Sequence, residues 1–522
     1  MDTIDSKKTI FSRTVLLSDN ALLSYVAIFK VLILVVTHSL GFLGYFRDEF
    51  YYIACSDHLD WGYVDQPPFS IIALWISRML FGDSLIALRI FPALAGATVI
   101  ILTGWTVREL GGNRYAQLLA AFLVMFAPLI LAEDSYFSMN AFDVLFWTLA
   151  FYFIIKVLKQ GQPRYWIYLG CVLGLGLMNK ISVLWLGAGF AIGVLLTSNR
   201  SLLLKRNIWI TAAIAFLTFL PHIIWQVTHG FPTLEFIKNA TGNKYVAVSP
   251  WELFIQQVLI MNPVTAIIWI SGVIYFLIAK QVKQFRILPI IYLVVLMILI
   301  INKNSKSEYL GPLIPILFAM GTYTIERFIR TFHWNWLKPV VYIFLIPTGI
   351  ALAPIVIPIL PIESYIAYSQ ALGIKPTTPE KKELNLLPQF YADRCGWEEL
   401  TAVVANVYSS LTPEEKKQCV ILCDNYGEAG AIDFFGKKYN LPKTISAHNN
   451  YWFWGCQNSD GAIVIRLWGS RDRILESYEE AVQAGVFQNE YCMPYENNMP
   501  IWICKHRRIP LRDNWADFKH FN

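Results

Sequence analysis

The chain has 522 residues, of which 56% are hydrophobic and only 15% charged, and its mean hydropathy is +0.46. Soluble proteins carry about 25% charged residues. This composition, with 18 Trp, 26 Tyr and 34 Phe, therefore excludes a disordered chain, a coiled coil and a cytosolic multi-domain enzyme. A polytopic membrane protein remains, and the net charge of +6 gains meaning only from where it sits.

A bilayer-spanning helix needs about 20 mostly apolar residues. In chain order, eleven stretches are expected to cross: 25–45, 84–107, 115–132, 139–157, 165–179, 181–197, 208–228, 253–278, 287–301, 309–328 and 339–358. Basic residues orient them. Lys7, Lys8 and Arg13 precede the first span. Arg108/Arg114, Lys156/Lys159/Arg164, Arg200/Lys205/Arg206, Lys280/Lys283/Arg286 and Arg327/Arg330/Lys338 follow later ones. Eleven spans put every cluster on the cytoplasmic side, whereas one span more or fewer moves all the clusters downstream of it to the other face. Residues 67–81 are therefore read as an interfacial helix, with Arg78 on its wet face. The apolar run 165–198 has basic clusters at both ends, so it crosses and returns, with its break at Asn179-Lys180. Lys30, inside the first span, reads as a snorkelling side chain.

Beyond about 360 the chain turns Pro-rich and then polar. The expected fold is an all-α polytopic membrane domain over 1–360 and a soluble α/β domain over 361–522, extracytoplasmic by parity. In the second domain the spacing predicts a strand at 419–424, a helix at 427–439, a strand at 461–468, a helix at 471–485 and a last strand at 501–508. Six of the eight Cys lie there (Cys395, Cys419, Cys423, Cys456, Cys492 and Cys504), where an oxidising compartment permits bridges. No paired CxxC supports zinc. The polar N-terminus and long first span are not those of a cleavable signal peptide.

Polar residues concentrate between the first two spans. Arg47, Asp48, Glu49, Asp57, His58, Asp60 and Asp65 share one loop with many aromatics. Carboxylates just above the lipid surface can take a proton from a hydroxyl or hold a divalent cation; the plainer alternative is a solvated loop with helix-capping acids. Glu133, Asp134, Asn140 and Asp143 follow in the next outer loop. Lys180 sits at the turn within the apolar run, and an ionisable group at membrane depth is a functional candidate by default. His229, Glu235, Lys303, Lys306 and Tyr309 lie on the same outer face, and His222 reads as a hydrogen-bonded helix residue. Acids and lysines on one face suit an amphiphilic anionic substrate, either moved across the bilayer or relieved of its head group.

Motifs sharpen this. R-D-E-F-Y-Y (47–52), G-Y-V-D-Q-P-P (62–68) and F-G-D-S-L-I-A-L-R-I-F-P-A-L-A-G (81–96) resemble the opening of bacterial GT-C glycosyltransferases. These are the glycosyltransferase family 39 proteins, related to protein O-mannosyltransferases and to the lipid A aminoarabinose transferase. L-G-L-M-N-K-I-S (175–182) and K-S-E-Y-L-G-P-L-I-P (306–315) look like two later signatures, and D-N-Y-G-E-A-G-A-I-D-F-F-G (424–436) like a C-terminal one. The resemblance implies an inner-membrane enzyme that takes a sugar from a polyprenyl-phosphate-linked donor and passes it to an acceptor outside the membrane. It implies Asp48 at the reaction centre, with Glu49 beside it. Lys180, Lys306, Lys303 and Arg47 would bind the donor phosphate, and Asn140, Asp143 and Tyr309 the sugar or acceptor. A divalent metal, if used, would fall to Asp65, His229 and Glu235.

The chain departs from the pattern at Gln66, where the aminoarabinose transferase has a phosphate-binding Lys. It departs again at Asn140, where an acid usually opens the fourth span. A transporter or flippase for the same lipid is the main competing expectation, and a membrane-anchored binding protein the next. A flippase needs polar residues through the membrane interior, whereas here they gather at one face. No nucleic-acid partner is expected, because membrane orientation accounts for the basic clusters.

Overall fold

The structure, a computed structural model, describes residues 16–303 and 306–522. Lys7, Lys8 and Arg13 lie outside the described residues. In chain order the helices are α1 (Asp19–Leu40), α2 (Arg47–Asp57), α3 (Phe69–Phe81), α4 (Leu85–Leu110), α5 (Arg114–Met125), α6 (Pro128–Glu133), α7 (Met139–Gln160), α8 (Pro163–Leu177), α9 (Val183–Leu196), α10 (Arg206–Thr228), α11 (Pro232–Asn239), α12 (Pro250–Ile260), α13 (Ala266–Ile278), α14 (Ile287–Ile301), α15 (Ile314–Phe332) and α16 (Leu337–Val356). After them come α17 (Ile362–Ala371), α18 (Trp397–Ser409) and α19 (Tyr426–Phe435), interleaved with five strands and several short turns. By their contacts the residues form two compact units. One comprises Met1–Leu40, Ile86–Pro221 and Ala247–Ile359, and the other Gly41–Leu85, His222–Val246 and Leu360–Asn522.

The first unit is all helix, and the chain is a multi-pass membrane protein. Among the described residues five helices are long and apolar enough to cross a bilayer: α1, α4, α7, α10 and α16. The number rises to seven if two bent pairs, Val183–Leu196 with Ser198–Leu204 and Pro250–Ile260 with Pro263–Ile278, each count as one span. Other expected spans are shorter helices. Residues 115–132 are cut into α5 and α6 where Ala127 turns extended ahead of Pro128, a residue that can start a helix but not continue one. The run 165–198 breaks between α8 and α9, around Asn179-Lys180.

Small residues let these helices touch, as membrane helices need when water supplies no drive between them. A Cβ on Gly272 of α13 would stand 2.4 Å from the Gly321 nitrogen of α15. Gly189 and Gly193 of α9 face Ile291 and Ile287 of α14 in the same way. Lys30 does not snorkel. It is 0% exposed and forms an ion pair with Asp134, whose carboxylate fills the space left by Gly96. A buried ammonium is tolerated only with such a partner.

The second unit carries a five-stranded sheet of order β2-β1-β3-β5-β4. Its strands are β1 (Cys419–Cys423), β2 (Thr444–Ser446), β3 (Ile463–Leu467), β4 (Tyr478–Phe487) and β5 (Met499–Arg507). β1 is parallel to β2 and β3, and β5 is antiparallel to β3 and β4. The helix expected at 471–485 is a correction: only Arg471–Leu475 is helical, and β4 takes the rest. Pairing with β5 overrides helix propensity there, setting Ala481 opposite Cys504 and burying Tyr478, Ala481 and Phe487 while Glu479 and Glu480 face out. All eight cysteines are free thiols.

Helix α19 packs on α2 within this unit. Asn425 caps α19 by accepting from the Gly427 and Glu428 nitrogens at 2.8 and 3.1 Å. Gly427 and Gly430 permit the approach, since a Cβ there would lie 2.4 Å from Arg47 Cγ and 2.8 Å from Phe50 Cβ. Thus α19, far along the sequence, is held against the acidic segment at 47–52.

Candidate functional site

In the first unit the turn between α8 and α9 places Lys180. The Lys180 nitrogen donates to Gly176 O at 2.8 Å, and Asn179 Nδ2 donates to Met139 O at 2.9 Å, fixing the turn to the start of α7. Lys180 Nζ donates to Asn140 Oδ1 at 2.7 Å and lies 3.6 Å from Asp143 Oδ2. It also stands 5.4 Å from the ring centroid of Tyr309, which packs edge-on to Trp185. Asn140 and Asp143, three residues apart, share one face of α7. Asp143 is buried and accepts from Ser182 Oγ at 3.0 and 2.8 Å.

Glu133, buried at the end of α6, lies within electrostatic reach of Lys180. The structure thus gathers Lys180, Asn140, Asp143 and Tyr309 into one group. An ammonium has three donors, one more than its contacts with Asn140 and Asp143 use. Lys306 precedes the 3₁₀ turn Ser307–Leu313 that carries Tyr309, and its carbonyl accepts from the Tyr309 nitrogen. Lys303 is exposed, and its carbonyl accepts from the Val248 nitrogen at 2.9 Å.

In the second unit Arg47 and Asp48 open α2. Arg47 is buried. Its Nη1 donates to Tyr495, its Nη2 to Tyr426 Oη at 3.2 Å, and its backbone nitrogen to Asp393 O at 2.9 Å. Nε lies 3.9 Å from Asp48 Oδ1. Asp48 is the accessible member, with 39% of its side chain exposed, and it accepts from Tyr426 Oη at 2.8 Å. Glu49 differs from expectation. It is fully buried, and Oε2 accepts from the Phe46 nitrogen at 2.8 Å, so it caps α2 from the third helical position. Adjacent helical residues point apart, which leaves only Asp48 facing outward.

Behind Asp48, Tyr51 stacks on Tyr426 with centroids 4.7 Å apart. Its hydroxyl lies 3.0 Å from both Asp65 Oδ1 and Asn450 Oδ1. Burial pushes the Asp65 carboxyl up to about 6; the Tyr51 hydrogen bond opposes this, and the charge of Asp48 adds to it. Burial raises Asp393 too, against the guanidinium of Arg47. Glu428, buried in the first turn of α19, is pushed up to about 8 by burial and then by Asp424.

The three residues expected to serve a metal are not gathered into one group. Asp65 is bound to Tyr51. His229 Nδ1 lies 2.8 Å from Trp225 O, with its ring stacked on Trp225, and Glu235 pairs with Lys519 at 2.8 Å. Among the described residues no three His, Cys, Asp or Glu side chains are placed to share a metal ion. Tyr495, Asn450 and Asp393 were missed because nothing in their local sequence marks them. Tyr426 lay inside the D-N-Y-G-E-A-G segment already singled out.

Residues 65–225 match the family described as dolichyl-phosphate-mannose-protein mannosyltransferase. The chain is 22% identical over 283 residues to an undecaprenyl phosphate-alpha-4-amino-4-deoxy-L-arabinose arabinosyl transferase of Pseudomonas fluorescens, covering 51% of this chain and 50% of that protein. It is 22% identical over 235 residues to the lipid A galacturonosyltransferase RgtD of Rhizobium johnstonii, covering 43% of this chain and 48% of that one. The chain therefore spans about half the length of the curated relatives it matches. Its fold is that of ArnT from Cupriavidus metallidurans. The apo crystal structure and that bound to undecaprenyl phosphate each align with a TM-score of 0.60 and 13% identity, over 91% of this chain and 97% of that one.

Proposed function

We propose that this chain, a relative of GT-C proteins of the protein-mannosyltransferase type, is a membrane glycosyltransferase. In this reading it moves a hexosyl or pentosyl group from a polyprenyl-phosphate-linked donor to an acceptor (lipid, glycan or protein) outside the inner membrane. Lys180 carries the reading: a cation held at a break in an apolar run, beside an amide, an acid and an aromatic ring. The relatives' names, an undecaprenyl-phosphate-dependent transferase among them, support the donor class.

In the reaction the acceptor oxygen attacks the anomeric carbon and the bond from that carbon to the phosphate oxygen breaks. The electron pair leaves with the polyprenyl phosphate. Lys180 and Lys306 stabilise the developing charge, as fixed donors do in a partly dry site. Asp48 takes the acceptor proton as general base. Arg47 holds Tyr426 and Tyr495, and Tyr426 holds Asp48, so Arg47 positions rather than binds phosphate. Asn140, Asp143 and Tyr309 orient Lys180 and offer polar contacts to a sugar. Eleven spans remain the proposed topology, with 1–360 as the membrane domain and 361–522 as the periplasmic one.

The test is a reconstituted assay. Purified protein in vesicles with a panel of synthetic polyprenyl-phosphate sugars should release polyprenyl phosphate and glycosylate an acceptor from a membrane extract. Lipid movement across the vesicle without cleavage of the sugar–phosphate bond would instead establish a flippase. Impermeant thiol reagents applied from outside should label a Cys placed near 440 and miss one near 201, and the opposite pattern would overturn the topology.

A further inference from the structure

We propose that a groove in the first unit seats one acyl chain of an anionic phospholipid, whose head group rests on Arg327, Arg330 and Lys338. This stands independently of the transferase reading. The groove encloses about 520 Å³ among α5, α13, α15 and α16, with Ile268, Ser271, Ile325, Phe328, Val341 and Phe344 in its walls. At about 30 Å³ for each water-sized group, that is room for one long alkyl chain. Its hydroxyls do not face a ligand. Thr265 Oγ1 donates to Met261 O at 2.9 Å, Ser271 Oγ to Ile268 O at 2.8 Å, and Thr324 Oγ1 to Met320 O at 2.8 Å. With its hydroxyl donors spent on their own helices, the wall suits hydrocarbon and not a sugar.

One end of the groove says what kind of lipid. Phe328 and Leu337 line it there, and between them the chain turns from α15 to α16. Phe328, Phe332, Trp334 and Trp336 form a run of touching rings, with centroids 5.3 Å apart for Phe328 and Trp334 and 6.3 Å for Trp334 and Trp336. All four rings are exposed. Exposed Trp beside apolar helix ends belongs at head-group level. The end of α15 carries Arg327 and Arg330, and the start of α16 carries Lys338. Of these, Arg330 lies 3.8 Å from Glu326, and Lys338 sits 5.6 Å over the Tyr115 ring. Glu326, buried, also accepts from Asn113 Nδ2 and is shared between that amide and Arg330, while Lys338 meets an aromatic face. An apolar slot opening beside aromatics and surplus positive charge is complementary to an acyl chain under an anionic head group.

The experiment uses the full-length protein in nanodiscs. Phosphatidylglycerol carrying a photoreactive group on its acyl chain should crosslink to peptides within 264–271, 324–328 and 337–345, several-fold more than the matching phosphatidylcholine. Excess unlabelled phosphatidylglycerol should compete. The surface variant Arg327→Gln/Arg330→Gln/Lys338→Gln should lower that crosslinking several-fold, and the groove-filling Ser271→Phe should do so with the charges intact. The wild-type crosslinking decides the matter even if either variant folds poorly. Equal labelling by the neutral lipid, labelling spread over other helices, displacement by polyprenyl phosphate alone, or crosslinks joining two copies of this chain through the groove would each overturn the proposal.

Discussion

Lys180 Nζ donates to Asn140 Oδ1 at 2.7 Å while Asp143 Oδ2 waits 3.6 Å away, so a neutral amide, and not the nearby carboxylate, holds the ammonium most closely. An amide orients a cation without neutralising it, which suits a group meant to meet an anion.

Lys180→Ala should therefore lower kcat with the lipid-linked donor by about 10²–10³-fold, the loss seen when one fixed donor to a developing anion is removed. Asn140→Asp adds a second acid beside the ammonium and should weaken donor use through KM. Steady-state kinetics on folded, monodisperse protein would decide; unchanged constants in both variants would remove Lys180 from the donor site.

Asp48→Asn keeps its shape and its bond from Tyr426 but cannot take a proton. It should retain donor binding and lose transfer by about 10²–10⁴-fold. Glu49→Gln disturbs a helix cap and should cost about 1 kcal/mol of stability with little change in turnover. The opposite ranking of the two variants would exchange their roles.

Buried acids in the second unit give a pH dependence with a definite sign. Glu428 in the folded protein titrates at about 8 against an ordinary 4.5, with burial as the first cause. Between those values the native state binds a proton that the unfolded chain does not, so stability falls as pH rises through the window and levels off above it. Glu496, also raised by burial, acts with the same sign. His448 is lowered well below 6.5 by burial, so its own effect, stability gained with rising pH, is complete by about pH 7. Thermal unfolding midpoints should thus drop from pH 7 to pH 8, and Glu428→Gln should flatten that slope. A midpoint that climbs over this interval would contradict the assignment.

The Lys30–Asp134 pair predicts strong non-additivity. Lys30→Met strands a buried carboxylate and should cost about 3–5 kcal/mol. Lys30→Met/Asp134→Asn should recover much of it, because the uncompensated charge is gone. Chemical or thermal unfolding of these two variants and of Asp134→Asn closes the cycle, and additive losses would mean that the two side chains do not depend on each other.

Much of this was legible in the sequence wherever short-range pattern carries the information. Asn140 and Asp143 share a helix face by spacing, and the basic residues flanking 165–198 require a turn at Asn179-Lys180. Three things were not legible. Lys30 looks like a snorkelling residue until Asp134 and the gap at Gly96 are brought to it by the packing of other helices. Residues 478–485 look helical because nothing local reveals that β5 will pair with them. Asp65, His229 and Glu235 look like ligands because sequence shows the donor atoms but not the Tyr51, Trp225 and Lys519 that occupy them. Lys30 and Glu235 meet partners far along the chain, Asp134 and Lys519, whereas His229 turns onto Trp225 four residues back, a choice that packing and not spacing decides.

The dependence of Asp48 on Tyr426, 378 residues further on, also has a consequence in time. At roughly 5–20 residues per second of synthesis, the acid emerges on the order of 20–80 s before the phenol that holds it exists. During that interval the early loop carries a charged residue with no fixed direction. In the proposed mechanism the base is therefore not yet aimed while the helices are still being inserted. A chain stalled on the ribosome before α19 carries Asp48 without the phenol that orients it.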